Sequence, residues 1–237
     1  MSTKAVIFDV DGMLIDTNGL HTAAWVEAFQ HFGVEVDRDD VRRQMGKGGD
    51  QLMPSFLPPD LIEQKGPEIE RFRVDLFKRK YLPQARAFPG VRELFQRLRA
   101  EGQTVVLASS AKADELENYK SLAGIADLID AATSSDDVER SKPYPDIFRA
   151  ALEHIRPTRP EQAVVVGDSP FDAEAARGAG VRIVGLLCGG FDADALCSAG
   201  CIAVYRDARD LLDHYEASPL AGKAGDASGP ALLQTRP

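Results

Sequence analysis

The chain has 237 residues, 44% hydrophobic and 27% charged, a balance that fits a globular protein and excludes a largely disordered one. A net charge of -9 argues against nucleic-acid or anionic-membrane partners, because both reward Lys and Arg. No window approaches the ~18 apolar residues of a spanning helix, and Met1 to Asp9 carries no long apolar run behind a basic segment, so a cytoplasmic protein is expected. A monomer or weak dimer is the expected assembly.

The first strand runs from Ala5 to Phe8, a short apolar segment of the kind buried on both faces of a parallel sheet. It ends in Asp9-Val10-Asp11-Gly12, two carboxylates at the end of a strand where open α/β sheets bind ligands. A turn with a capping Asp fits those residues equally well when they are taken alone. The gap from about Gly12 to Gly102 is too long for one crossover helix. Within it His21, Trp25, Ala28, Phe29 and Phe32 recur at helical spacing, as do Ile69, Phe72 and Leu76, and Gly46 to Gly49 and Pro58-Pro59 punctuate the middle. A small helical domain over residues 17–85 is expected, inserted into an α/β core of residues 1–16 and 86–217. Arg71, Arg73, Lys78, Arg79 and Lys80 read as the solvated face of its helices.

Val91, Leu94, Phe95 and Leu98 mark a helix ahead of the second strand, Thr104 to Ala108. Ser109-Ser110-Ala111 follow directly; their hydroxyls and the free amides of a helix starting near Lys112 form a phosphate cradle, though plain Ser caps fit as well. A weaker strand at Leu128 to Thr133 precedes Ser141-Lys142-Pro143-Tyr144-Pro145-Asp146, whose prolines fix an extended loop before a helix marked by Ile147, Phe148, Ala151, Leu152 and Ile155. The strand Ala163 to Val166 leads into Gly167-Asp168-Ser169-Pro170-Phe171-Asp172, bringing a third acid to a strand end. Val181 to Leu187 and a weaker Cys201 to Tyr205 complete the strands, and residues 218–237, rich in Gly, Ala, Ser and Pro, read as a C-terminal tail. Cys188, Cys197 and Cys201 are odd in number and lack a neighbouring His, so structural thiols are expected rather than a disulfide framework or a zinc site.

The Asp pair, Ser, Lys and Asp follow successive strands of one sheet and can converge at one edge. Together they offer a nucleophile, an acid, a metal site and cationic stabilisation, which are the needs of phosphoryl transfer. At Phe8-Asp9-Val10-Asp11-Gly12, Ala108-Ser109-Ser110, Ser141-Lys142-Pro143 and Gly167-Asp168 with Asp172, the chain resembles the haloacid dehalogenase superfamily. The match falls in the branch with a helical cap after the first motif, which includes phosphoglycolate phosphatases and β-phosphoglucomutases. This resemblance spans nearly the whole chain.

It implies an α/β fold, a Rossmann-like parallel sheet whose central first strand carries Asp9, with the cap closing over that edge and setting specificity. It implies that Asp9 attacks phosphorus, and that Asp11 protonates the leaving oxygen and then deprotonates the water that hydrolyses the phospho-aspartate. A carboxylate cannot approach a phosphate dianion without neutralisation, so Mg2+ is implied, on the Asp9 carboxylate, the Asp11 backbone carbonyl and the Asp168 carboxylate. By the same resemblance Ser109 and Ser110 bind the phosphoryl group, Lys142 balances charge on it and on Asp9, and Asp172 orients Lys142 or a bound water. Thr17, His21 and Trp25 have counterparts in β-phosphoglucomutase, His21 as a link between cap closure and Asp11.

Three rival functions are separable. Dehalogenases lack the second acid, which Asp11 supplies here. A two-component receiver domain is about half as long and has no cap. A sugar-phosphate mutase shares the intermediate, but the loop Met45-Gly46-Lys47-Gly48-Gly49-Asp50 resembles the specificity loop that carries an arginine in the mutase, and Gly48 and Gly49 stand nearest that position. A phosphatase is therefore expected, acting on a small phosphorylated metabolite: a phosphoglycolate-like acid, a sugar phosphate, or a nucleoside or natural-product phosphate. Lys47 offers a point charge to an anionic leaving group, though a solvent-exposed loop Lys fits the glycines around it as well.

Overall fold

The computed structural model describes residues 2–221. Six strands form one sheet: β1 (Ala5–Phe8), β2 (Thr104–Ala108), β3 (Ala131–Thr133), β4 (Ala163–Gly167), β5 (Arg182–Leu186) and β6 (Ala203–Tyr205). Their order is β3-β2-β1-β4-β5-β6, with every pairing parallel. This is the Rossmann-like sheet expected. β1, β2 and β4 are the continuous apolar runs of the sequence, because a strand covered by helices on both faces has no solvated side to alternate towards. β3 and β6 are shorter than the runs that suggested them.

The segment between β1 and α5 carries α1 (Asn18–His31), α2 (Arg38–Arg42), α3 (Gly49–Leu52) and α4 (Pro59–Leu76), the last continuing into a π-turn over Phe77–Tyr81. The rest alternate with the strands: α5 (Val91–Ala100), α6 (Ala113–Ala123), α7 (Asp146–His154), α8 (Pro170–Gly178), α9 (Ala193–Ala199) and α10 (Ala208–Asp213). Two apolar clusters cover the two faces of the sheet. Val6, Phe8, Leu94 and Phe95 belong to one, Ile7, Val165, Phe148 and Ala173 to the other.

Trp25, Ala28, Phe29, Val41, Leu52 and Ile69 build a separate cluster among the inserted helices. The two chain segments that lead out to those helices and back run side by side: Asp16 N donates to Arg86 O at 2.8 Å and Phe88 N to Leu14 O at 2.9 Å. Ser218 and Leu220, assigned to the tail by composition, are instead buried, and Gln103 Nε2 donates to Leu220 O at 2.7 Å. The remainder of the expected tail lies outside the described residues. Cys188, Cys197 and Cys201 are free thiols, and burial pushes Cys201 up to about 12. Among the described residues no helix is long and apolar enough to cross a membrane.

Candidate active site

Because β1 lies between β2 and β4, the segments after these three strands meet at one edge. Asp9 and Asp11 follow β1, Ser109 follows β2, and Asp168 follows β4. Lys142, from the loop before α7, reaches the same point. Its Nζ donates to Asp9 Oδ1 at 2.7 Å and to Asp172 Oδ1 at 2.8 Å, and all three side chains are buried. Asp172 Oδ2 accepts from Ser169 N and Ser169 Oγ, so both of its oxygens are spent inside the protein. It is thereby fitted to orient Lys142.

Burial pushes the Asp9 carboxyl up, the Lys142 ammonium pulls it down, Asp172 pushes it up again, and the balance stands at about 7. Burial, then Asp172 and Asp9, hold Asp168 well above the usual carboxylate range. Lys142 is the reverse: burial alone pushes its pKa down, but Asp172 and Asp9 outweigh that and raise it. Carboxylate oxygens of Asp9, Asp168 and Asp172 lie within 4.8 Å of one another, and Asp168 Oδ1 is buried without a hydrogen-bond partner. Crowded hard oxygen donors with excess negative charge and an orphaned oxygen fit a divalent cation such as Mg2+. Asp9 and Asp168 are the carboxylates able to hold it.

Asp11 sits apart from that cluster. Its Oδ1 accepts from Thr17 Oγ1 at 2.7 Å and lies 3.1 Å from His21 Nε2; Ser109 Oγ is 3.5 Å from its Oδ2. Burial pushes the Asp11 carboxyl up, but His21 and Thr17 outweigh it and hold the group below its ordinary value. His21 stacks on Phe77 at 3.9 Å, and its Nε2 also meets Tyr119 OH at 3.3 Å; that hydroxyl donates to Glu115 Oε1 at 2.7 Å.

The helix start after Ser109 is less open than expected, since Ala111 N donates to Ser109 Oγ and Ala113 N to Asp136 Oδ2. Ser110 lines the pocket.

The pocket, about 280 Å³, is roofed by the inserted helices, with Trp25, Lys47, Glu70 and Arg73 among its lining. Lys47 Nζ is engaged by Gln44 Oε1 at 2.6 Å and stands 4.6 Å over the Phe171 ring. Arg73 corrects the reading of the basic helix face as wholly solvated: its side chain is 13% exposed, pairs with Glu70 and lies 5.1 Å over the Trp25 ring. Glu70 Oε2 and Arg73 Nε are buried without partners.

Asn18, Glu70, Arg73, Glu115 and Tyr119 escape the sequence reading. Only Asn18 carries a local signal, as the last of three capping-type residues in succession, Asp16-Thr17-Asn18, and α1 has no side-chain cap from Thr17.

The chain belongs to the haloacid dehalogenase-like hydrolase family, whose model matches residues 6–186. A Thermotoga maritima protein named phosphorylated carbohydrates phosphatase is 32% identical, over 86% of this chain and 94% of its own length. A phosphoglycolate phosphatase of Nitrosospira multiformis is 33% identical, over 76% and 81%. A hydrolase structure from Pseudomonas syringae superposes with a TM-score of 0.81 at 30% identity, covering 91% of this chain and 99% of that one.

Proposed function

We propose that this hydrolase is a magnesium-dependent phosphatase that cleaves a small phosphate monoester with a hydroxyl-rich remainder, through a phospho-aspartate at Asp9. The observation that carries this reading is the Lys142 ammonium seated between Asp9 and Asp172 on the floor of the pocket, where it holds the nucleophile and faces incoming phosphate. Asp9 and Asp168, with the Asp11 backbone carbonyl, would hold Mg2+, which would supply charge neutralisation between carboxylate and phosphate.

Asp9 forms a bond to phosphorus as the bond to the leaving oxygen breaks, and Asp11 gives that oxygen its proton. A phosphate brought beside Asp11 raises its proton affinity, because like charges disfavour the ionised form. Asp11 then takes a proton from the water that attacks the phospho-aspartate and frees inorganic phosphate. Ser109 and Ser110 hold phosphoryl oxygens. Thr17 and His21 fix the Asp11 carboxylate, which Ser109 also meets.

Residues 17–85 act as the cap that selects the leaving group. Arg73 is matched by Glu70 and Lys112 by Asp136, and a paired donor and acceptor suit hydroxyls better than a second anion. The name of the Thermotoga maritima relative supports the same substrate class. Gly48 and Gly49 supply no bidentate grip on a second phosphate, which speaks against a mutase.

Phosphorus NMR on a panel of sugar, polyol and carboxylic-acid phosphates tests this. Steady release of inorganic phosphate, fastest from the polyhydroxylated esters, is expected. Clean isomerisation without release means a mutase, and a long-lived acyl phosphate without turnover means a signalling domain.

A further inference from the structure

Thr17 and Asn18 open α1 with two residues of the type that usually cap helices, yet neither side chain does so at that helix start. Thr17 spends its hydroxyl on Asp11, and Asn18, 5% exposed, spends its amide elsewhere. Asn18 Nδ2 donates to Asp168 Oδ2 at 2.7 Å and to Gly189 O at 3.0 Å. Both neighbours are acceptors, so the nitrogen must face them, and both amide protons are used. The other side of Asp168 Oδ2 is closed by backbone. A Cβ on Gly12, whose φ is +73°, would fall 2.4 Å from that oxygen, and a Cβ on Gly189 would fall 1.7 Å from it. One oxygen of Asp168 is therefore boxed in, while Oδ1 is buried and unpartnered.

We propose that Asn18 is a positioning residue for the metal site. With Gly12 and Gly189 it occupies Asp168 Oδ2, so that Asp168 offers a cation one oxygen only, and the site favours Mg2+ over Ca2+. The inference rests on the Mg2+ reading above. Mg2+ demands a compact octahedral shell, whereas Ca2+ takes 6 to 8 oxygens and readily draws both oxygens of a carboxylate. An amide that ties down the second oxygen also fixes the rotation of the carboxylate, and loss of such an outer partner typically costs 10- to 100-fold in metal affinity. Asn18 begins α1, so the first inserted helix is bonded directly to a core strand end at the cation site.

Calorimetric titration of substrate-free protein with Mg2+ and, separately, Ca2+ tests the role without reference to turnover. Asn18→Ala is expected to weaken Mg2+ by about 10- to 100-fold and Ca2+ by much less, so the Mg2+/Ca2+ preference falls. Asn18→Ser, smaller but still a donor, is expected to fall between, and it supplies the comparison if Asn18→Ala does not give a native near-UV dichroism spectrum. Unchanged affinity for both ions in a folded variant overturns the role of Asn18 while the Mg2+ reading stands. Equal losses for both ions overturn the selectivity. Failure of the unaltered protein to bind Mg2+ overturns the metal reading itself, and this inference with it.

Discussion

Lys142 and Asp9 stand 133 residues apart in the chain and 2.7 Å apart at the site, with both side chains 1% exposed. Breaking a buried ion pair by deleting one partner strands the other charge, at a cost of about 3–5 kcal/mol. Lys142→Met is therefore expected to lower unfolding free energy by about that amount in urea titrations at pH 7. Adding Asp172→Asn should recover part of the loss by removing one stranded carboxylate. An unchanged midpoint in the single variant would show that the ammonium is not seated between the two acids.

Asp11→Asn keeps the side-chain shape but can neither give nor take the proton. Turnover is expected to fall by about 10²- to 10⁴-fold. Affinity for inorganic phosphate should stay within a few-fold, because Lys142 and Ser109 are untouched; steady-state kinetics and calorimetry separate the two. A rate near that of the unaltered enzyme would move the proton transfer to another group.

Chelation should abolish phosphate release and added Mg2+ should restore it. Mg2+ is also expected to raise the melting temperature of the substrate-free protein, since an ion that binds only the folded state stabilises it and Asp168 Oδ1 has no other partner. Melting curves with and without the ion, alongside the rate assay, check both. Full turnover after exhaustive chelation contradicts the site.

Arg73→Leu removes a charged donor from the pocket wall while leaving the chemistry in place. KM for the preferred ester is expected to rise by about 10- to 100-fold, the equivalent of a charged hydrogen bond, with kcat changed only a few-fold, as for uniform binding. Lys47→Ala should raise KM less, because Lys47 is already engaged by Gln44 and stands over Phe171. The reverse order would make Lys47 the principal contact.

Asp210 anchors the start of α10, accepting from Arg206 N at 2.9 Å and lying 3.3 Å from His214 Nδ1. Burial pushes its carboxyl up, but Arg206 outweighs it and holds the group below its ordinary value of 3.8. A depressed folded-state pKa gives stability that is fully present above the unfolded value and lost as pH falls through the folded one. Asp210→Asn is expected to cost about 1–3 kcal/mol at pH 7. That gap should persist at pH 5 and shrink only below 3.8. Denaturant titrations of both proteins across this range read it directly, and a gap independent of pH would assign the cost to packing.

The bounds of β1 and β2 can be read straight from the sequence, because a strand buried on both faces must be a continuous apolar run and the residue after it marks its end. Asp9, Ser109 and Asp168 were identifiable as candidates for the same reason: Asp9 and Ser109 directly follow such a run and Asp168 stands one glycine beyond another, and in a parallel sheet those ends lie on one edge. What the sequence could not order was everything whose partner is fixed by packing across the insertion. Asn18 meets Asp168 across 150 residues and Tyr119 meets His21 across 98, and no local pattern records either contact. Arg73 belongs to a basic helix segment that reads as solvated, and only the packing of α4 over Trp25 turns it into the pocket wall. Ser218 and Leu220 have the composition of a tail and are buried all the same, with Leu220 O accepting from Gln103 Nε2. Local composition sets which segments become strands and helices, but side chains on a helix surface acquire a role only from the surface that tertiary packing brings opposite them.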